Sequence, residues 1–216
     1  MATTTPNYGW TVPTSTDLVK DGATAIETLG DAIDASMNTA LGTKKAGMVL
    51  LNTTSFSGVA SQSINDVFST TYTNYRIIVA STTSNANAQL LQMRLRVSAT
   101  DNSSSNYYWA GVSIGSTSAT PSVNGLGSNG LTSSFDTSVS NPTGVGEAVN
   151  IIDLFNPFAT QRTGFASQQV YQDNTPAVFY RAINGQMSVT TSYTGFSLIS
   201  AASNITGSVN VYGYNI

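Results

Sequence analysis

Cysteine and histidine are absent from this chain of 216 residues, and their absence excludes several kinds of chemistry. Without cysteine the chain can form neither a disulfide nor a thiolate metal site, and its redox compartment cannot be read from the sequence. Without histidine it lacks the commonest general base and the commonest zinc ligand. We therefore expect a protein with no metal and no cofactor.

Charge is also scarce, because Asp, Glu, Lys and Arg make up only 9% of the residues and the formal net charge is −3. A soluble domain usually has about a quarter of its residues charged. Eight lysines and arginines are too few for the basic stripe that neutralises phosphates, so nucleic acid is not an expected partner. Attraction to an anionic membrane surface fails for the same reason.

Long apolar runs are missing as well. The runs at 48–51 and 77–80 are far too short to cross a bilayer, so we expect no membrane insertion. The first residues lack the basic segment and apolar core of a secretory signal. The hydrophobic fraction of 40% is nevertheless enough for a core, and the surface must consist largely of Ser, Thr, Asn, Gln and Gly.

Residues 1–15 show no periodicity and contain two prolines, Pro6 and Pro13. Most chain ends of this kind are poorly ordered. Tyr8 and Trp10 indicate a different role, because amphipathic aromatic rings favour interfaces. We predict an extended arm that anchors the protein to a partner through Tyr8 and Trp10.

Residues 16–42 carry the one convincing helical pattern. Ser15 or Thr16 can cap the start, Asp21 lies in an early turn where acids favour the helix dipole, and Gly42 is a suitable end. Apolar side chains recur at heptad spacing, with small or polar residues at some of the interleaved positions. The trimer contacts that this stripe predicts are Val19, Ile26, Leu29 and Ile33.

Two interpretations of the stripe are open. Isoleucine at successive a positions is compatible with a three-stranded coiled coil, so the helix can draw three copies of the chain together. An amphipathic helix that packs on its own domain would show the same three heptads. Gly22 and Ser36 weaken the seam, and we do not expect this helix alone to hold a trimer.

Residues 46–216 are predicted to be β throughout. In the segment 90–98, for example, Leu91, Met93 and Leu95 alternate with polar side chains. Clusters of Gly, Asn, Ser and Pro separate nine candidate strands, at 48–56, 75–81, 90–98, 107–114, 148–155, 164–171, 177–183, 188–200 and 207–214. Because no helix lies among them, we predict an antiparallel β-sandwich of the jelly-roll kind. The glycine patterns 125–127 and 144–146 are interpreted as turns.

Catalytic patterns are weak. A glycosidase needs two carboxylates about 5 to 9.5 Å apart, and the β domain has few acids to choose from: Asp66, Asp101, Asp136, Glu147, Asp153 and Asp173. Asp153 lies in the apolar run "VNIIDLF", where an acid usually caps a strand or pairs with an arginine. The segment "TDNSSSN" at 100–106 lacks the acids of a calcium loop and is interpreted as a polar turn. We predict that the chain is not an enzyme.

Three aromatic residues, Tyr107, Tyr108 and Trp109, follow this polar turn. Exposed Tyr and Trp among Asn, Ser and Gln are typical of carbohydrate-binding faces and of protein interfaces. We therefore take all three as candidate contacts with a host surface or glycan. The alternative is that the rings fill the β core, and alternation already places Tyr108 and Trp109 on opposite faces.

The opening "NYGWTVPTSTDLVKDGATAIETLGDAIDAS" resembles the N-terminal module of tailed-bacteriophage structural proteins of the minor tail and tail-fibre kind. The stretches "SFSGVASQSINDVFSTTYTNYRIIVA", "LQMRLRVSATDNSSSNYYW" and "ITGSVNVYGYNI" resemble the β module that follows it, and 115–145 is matched least. The resemblance implies a homotrimer, and the cysteine-free composition suits a protein made in a bacterial cytoplasm and then assembled into a virion. Its N-terminus attaches to other virion proteins, and its β domain projects outward.

Two functions follow as expectations. The first is a trimeric tail fibre or minor tail protein, anchored by its N-terminal arm, whose β domain contacts glycan on the host. The second is a capsid decoration (cement) trimer that stabilises the phage head. The resemblance favours the tail, whereas a short helix without a fibrous shaft favours the head. A glycan depolymerase is the least favoured, since it needs an acid pair.

Overall fold

The computed structural model describes residues 3–16, 18–41, 47–85, 87–116, 121–128, 130–174 and 177–215. The chain divides into two compact units, Met1–Ala46 and Gly47–Ile216.

The first unit contains a short hairpin and a helix. Strands β1 (Thr3–Thr4) and β2 (Thr11–Val12) pair antiparallel. Gly9 has a φ of 67°, which glycine adopts readily, in the turn between them. A 3-10 turn over Val19–Asp21 leads into helix α1 (Gly22–Leu41).

The helix begins later than the sequence pattern predicts. Leu18 has extended backbone angles and lies just before the 3-10 turn, without any side-chain cap. The predicted caps, Ser15 and Thr16, are therefore wrong, because both precede the last extended residue. The predicted end at Gly42 lies outside the described residues.

The second unit contains β3 to β15: Val49–Val59, Ser61–Ile64, Asn74–Thr83, Gln89–Val97, Thr100–Asp101, Tyr107–Gly115, Ser122–Gly127, Phe135–Pro142, Ala148–Phe155, Gly164–Gln172, Val178–Met187, Gly195–Ser200 and Ile205–Tyr214. They form a long sheet in the order β3-β15-β5-β11-β12-β13-β8-β9 and a short sheet in the order β4-β14-β6-β10, with β7 beside β6. A two-residue parallel pairing between β10 and β5 joins the sheets.

Eight of these strands have jelly-roll topology. In chain order they are β3, β4, β5, β6, β10, β11, β14 and β15, and the first pairs with the eighth, the second with the seventh, the third with the sixth and the fourth with the fifth. The hairpins β8–β9 and β12–β13 are insertions that lengthen one sheet by four strands. The predicted mainly β, antiparallel sandwich is confirmed.

The core lies between the two sheets. Ile77 of β5 and Ile152 of β11 are fully buried in the long sheet, and Met93 of β6 and Leu198 of β14 are fully buried in the short one. The alternation predicted for residues 90–98 is confirmed, since Leu91, Met93 and Leu95 are all buried.

Strand β10 was not predicted, because its sequence, "FDTSVSNP", is mostly polar and typical of a loop. All eight of its residues are buried. Side chains of the long sheet satisfy its backbone: Val139 donates to Oε1 of Gln169 at 2.7 Å and accepts from its Nε2, and Ser167 donates to the carbonyl of Thr137. The interpretation of the glycine pattern 125–127 as a turn is also wrong, because Gly125 and Gly127 lie in strand β9. The turn at 144–146 is confirmed, with positive φ at both glycines.

Candidate functional site

Asp153, the acid inside the apolar run, pairs with an arginine. Its two carboxylate oxygens accept from Nε and Nη2 of Arg76 at 2.8 and 2.7 Å, and the two residues are register partners on β11 and β5. This bidentate bond raises the pKa of Arg76. The prediction of an arginine partner is confirmed, and the geometry is that of an ion pair on the outer face of a sheet.

The polar segment 100–106 begins with the two-residue strand β7 and continues as a turn. Asp101 of this segment accepts from the guanidinium of Arg96, which also donates to Asn65, Ser63 and Ser197. Over the described parts of the chain, no three His, Cys, Asp or Glu side chains come together as a metal site would require.

The prediction that Tyr107 contacts a host surface or glycan is wrong, because its ring is fully buried. The Leu95 amide donates to its hydroxyl at 3.0 Å, and the hydroxyl donates to the carbonyl of Asn102 at 2.8 Å. Trp109 follows on the same face, is half-buried and packs against the core. Tyr108 points to the other face and is 43% exposed, so it alone of the three presents its ring to solvent.

Because Tyr107 is buried, we expect the free energy of unfolding to fall at alkaline pH. Desolvation raises the pKa of its phenol above the ordinary value of 10.0. The neutral phenol is therefore favoured in the folded state, and its contribution is present below pH 10 and lost as the pH rises above it. We expect Tyr107→Phe to cost about 1–2 kcal/mol at pH 8, because two buried backbone groups lose a partner. The difference from the wild type should shrink at pH 11, in urea unfolding at both pH values.

Tyr108→Phe is the matched control, since this exposed ring should change the free energy of unfolding at neither pH. Parallel losses of stability by the wild type and Tyr107→Phe between pH 8 and 11 would contradict the assignment.

The predicted anchoring residues, Tyr8 and Trp10, form one aromatic pair. Their rings stack with centroids 5.1 Å apart at 16°, and Nε1 of Trp10 donates to Oγ of Ser36 on α1 at 2.9 Å. Trp10 is half-buried, whereas Tyr8 is 71% exposed. The arm is thus fixed to the helix by Trp10 and offers Tyr8 to solvent.

The predicted helix contacts divide into two groups. Val19 and Ile26 are 97% and 66% exposed, whereas Leu29 and Ile33 are half-buried within their own unit. Exposed Met37 extends the exposed group toward the end of the helix. An apolar stripe that includes Val19, Ile26 and Met37 therefore has no partner among the described residues of this unit.

A second apolar surface, which the sequence analysis missed, crosses the outer face of the long sheet. Register pairs join five side chains of adjacent strands, in the order Val149, Val170, Tyr180, Ile114 and Val123. Each is between 36% and 67% exposed. We call these residues the outer apolar row. At about 4.8 Å per strand it is roughly 19 Å long.

The strands that carry this row hold few charged residues. Ile151 and Val178 lie on the same face and are 42% and 45% exposed. The five strands carry only two charged residues, Arg181, which is buried, and Asp153, which Arg76 already neutralises. In "AVNIIDLF" apolar residues occupy both faces of the strand, and this is the sequence signal that could have revealed the surface.

Comparison with known proteins adds no relative: no family model, no curated protein and no solved structure matches this chain. No helix in the described ranges is long and apolar enough to cross a membrane.

Proposed function

We propose that this chain is a non-enzymatic structural protein of a tailed-bacteriophage particle, a homotrimeric tail fibre or minor tail protein. The arm attaches it to other virion proteins, and loops of the β unit contact the host surface. The observation that carries the proposal is the outer apolar row, because it gives the β unit an uncharged surface suited to permanent assembly.

The area of this surface fits a contact between copies. Five strands of six to ten residues give a face of roughly 24 by 30 Å. A standard interface buries about 800 Å² on each partner, which is a similar area.

The charge also favours a second copy as the partner. Every copy carries the same net charge of −3, so copies that meet through charged surfaces repel one another, whereas an uncharged face avoids this cost. The exposed stripe on the first unit is a second apolar surface of the same chain. Assembly of three copies would cover both surfaces at once, and each contact would reinforce the other.

One observation favours the capsid decoration protein as the second candidate. Helix α1 has 20 residues and spans only about 30 Å, which is no fibrous shaft. A trimer with so short a stalk suits a position close to a particle surface, such as the head.

Immunogold labelling of intact virions with antibody to Gly47–Ile216 tests the proposal. Gold at the tail tip supports the tail fibre or minor tail protein. Gold over the head supports the decoration protein, and particle stability without the chain would be measured next. Virions without gold would overturn both functions.

The arm prediction concerns Tyr8→Ala combined with Trp10→Ala. We expect roughly tenfold fewer copies per particle, because aromatic anchors dominate interface energies. Circular dichroism should show an unchanged β unit, which is a separate compact unit. Asn7→Ala, an exposed position of the same turn, is the control. A normal copy number for the double variant would contradict anchoring by these rings.

A further inference from the structure

A cavity of about 330 Å³ lies between the two sheets, on the side where the inserted hairpin β12–β13 meets edge strand β10. The short sheet contributes Leu90 and Val139, and the inserted hairpin contributes Tyr171 and Arg181. Ala88 and three polar residues complete the lining, namely Asn87, Asp173 and Asn174. Its size falls within the range of small-molecule sites.

Arg181 is the unusual member of this lining. The residue is only 6% exposed, yet its one partner among the described residues is Asp136, with Nη2 and Oδ2 3.8 Å apart, beyond hydrogen-bond distance. Its Nε is buried without an acceptor. Burial lowers the pKa of Arg181, so the environment disfavours the charge it carries.

The other buried arginine in the sandwich, Arg96, has hydrogen-bond acceptors for its guanidinium. Arg96 donates to side chains of Asn65, Ser63 and Ser197 and pairs with Asp101. Buried donors without acceptors are rare and cost free energy. The Nη donors of Arg181 make no hydrogen bond among the described residues, so a ligand with acceptor oxygens in the adjoining cavity can accept from them.

The charges and ring of the cavity indicate the ligand. Arg181 is already paired with Asp136, which lies outside the lining, and Asp173 is the carboxylate within the lining, so the local charge disfavours an anion. Asn87 and Asn174 offer amides that both donate and accept. Tyr171 lies against Phe179, with ring centroids 5.0 Å apart, and this contact fixes its position at the cavity. Hydroxyl groups, which donate to a carboxylate and accept from a guanidinium, match this set.

We propose that this cavity binds a neutral sugar residue, whose hydroxyl oxygens accept from Arg181 and whose ring lies against Tyr171. The inference deepens the proposed function, on which it rests for the source of the sugar, and it places the host contact away from Tyr108.

Saturation-transfer NMR on the full chain tests it with free glucose, galactose, mannose and N-acetylglucosamine as probes, and with glucuronic acid as the anionic comparison. We expect transfer to at least one neutral sugar and weaker transfer to glucuronic acid. Arg181→Met should weaken the binding by on the order of tenfold, since hydrogen bonds to a charged group are lost. Tyr108→Ala should leave it unchanged.

Thermal unfolding and oligomer mass identify an Arg181→Met variant that fails to fold, and exposed Asn174→Ala then provides the second variant, with weakened binding expected. Transfer to none of the neutral sugars, stronger transfer to glucuronic acid, or unchanged binding by the variants would each overturn the inference. The proposed particle function would stand in all these cases, because immunogold labelling decides it separately.

Discussion

Val170→Glu combined with Ile114→Glu should convert the assembled protein from three chains into one. Both positions flank Tyr180 in the outer apolar row, at 56% and 36% exposure. In a single chain the carboxylates remain in water, so folding should be nearly unaffected. In the assembly each would be buried without a partner, at a cost of about 3 kcal/mol or more.

Light scattering coupled to gel filtration measures the result. Ser55→Glu with Ser57→Glu is the matched control, because both serines are exposed on β3, at the opposite edge of the same sheet. The two control substitutions add the same charge as those in the row. The control should remain a trimer. A trimeric Val170/Ile114 variant would show that the row is not the subunit contact, and a monomeric wild type would remove the homotrimer from the proposal.

The same experiment distinguishes the contribution of the helix to assembly from that of the sheet. Val19→Asp with Ile26→Asp places charge on the exposed stripe of the first unit. If the β units carry most of the assembly energy, this variant should dissociate only on dilution, whereas the sheet variant should be monomeric at every concentration. Complete dissociation by the helix variant would give the larger part to α1.

The parts of the fold that follow hydrophobic patterning were predictable from the sequence. Leu91, Met93 and Leu95 alternate with polar residues, and they face the core as expected. For Asp153 the sequence left a strand cap and an arginine partner open, and the second is the one observed. The jelly-roll prediction followed from many short strands without helices between them, and not from any one residue.

The failures share a physical cause, since tertiary contacts override local pattern. Tyr107 looks like an exposed ring beside a polar turn, but long-range bonds to Leu95 and Asn102 satisfy its hydroxyl in the core. The outer apolar row exists only through strand register, because its five residues come from five strands. The cavity beside Arg181 likewise forms only where the inserted hairpin β12–β13 meets edge strand β10.

Strand β10 is the clearest of these cases, and Gln169 is the residue that tests it. The amide of Gln169 takes the place of a neighbouring strand, because it accepts from the N–H of Val139 and donates to its carbonyl. Gln169→Leu leaves both buried groups unpaired. We expect the free energy of unfolding to fall by about 3–4 kcal/mol, measured in urea. Gln186→Leu, an exposed position on β13, should stay within about 0.5 kcal/mol of the wild type.

Gln169→Glu separates hydrogen bonding from packing, because the side chain keeps its shape. At neutral pH the carboxylate can accept from Val139 but has no proton to donate, and it meets the carbonyl oxygen with a negative charge. Protonation restores a donor and an acceptor, so the neutral form is favoured in the folded state. The deficit should therefore shrink as the pH falls towards about 4. A pH-independent deficit would mean that Gln169 only fills space, and that β10 is held in the sandwich by Phe135 and its neighbours.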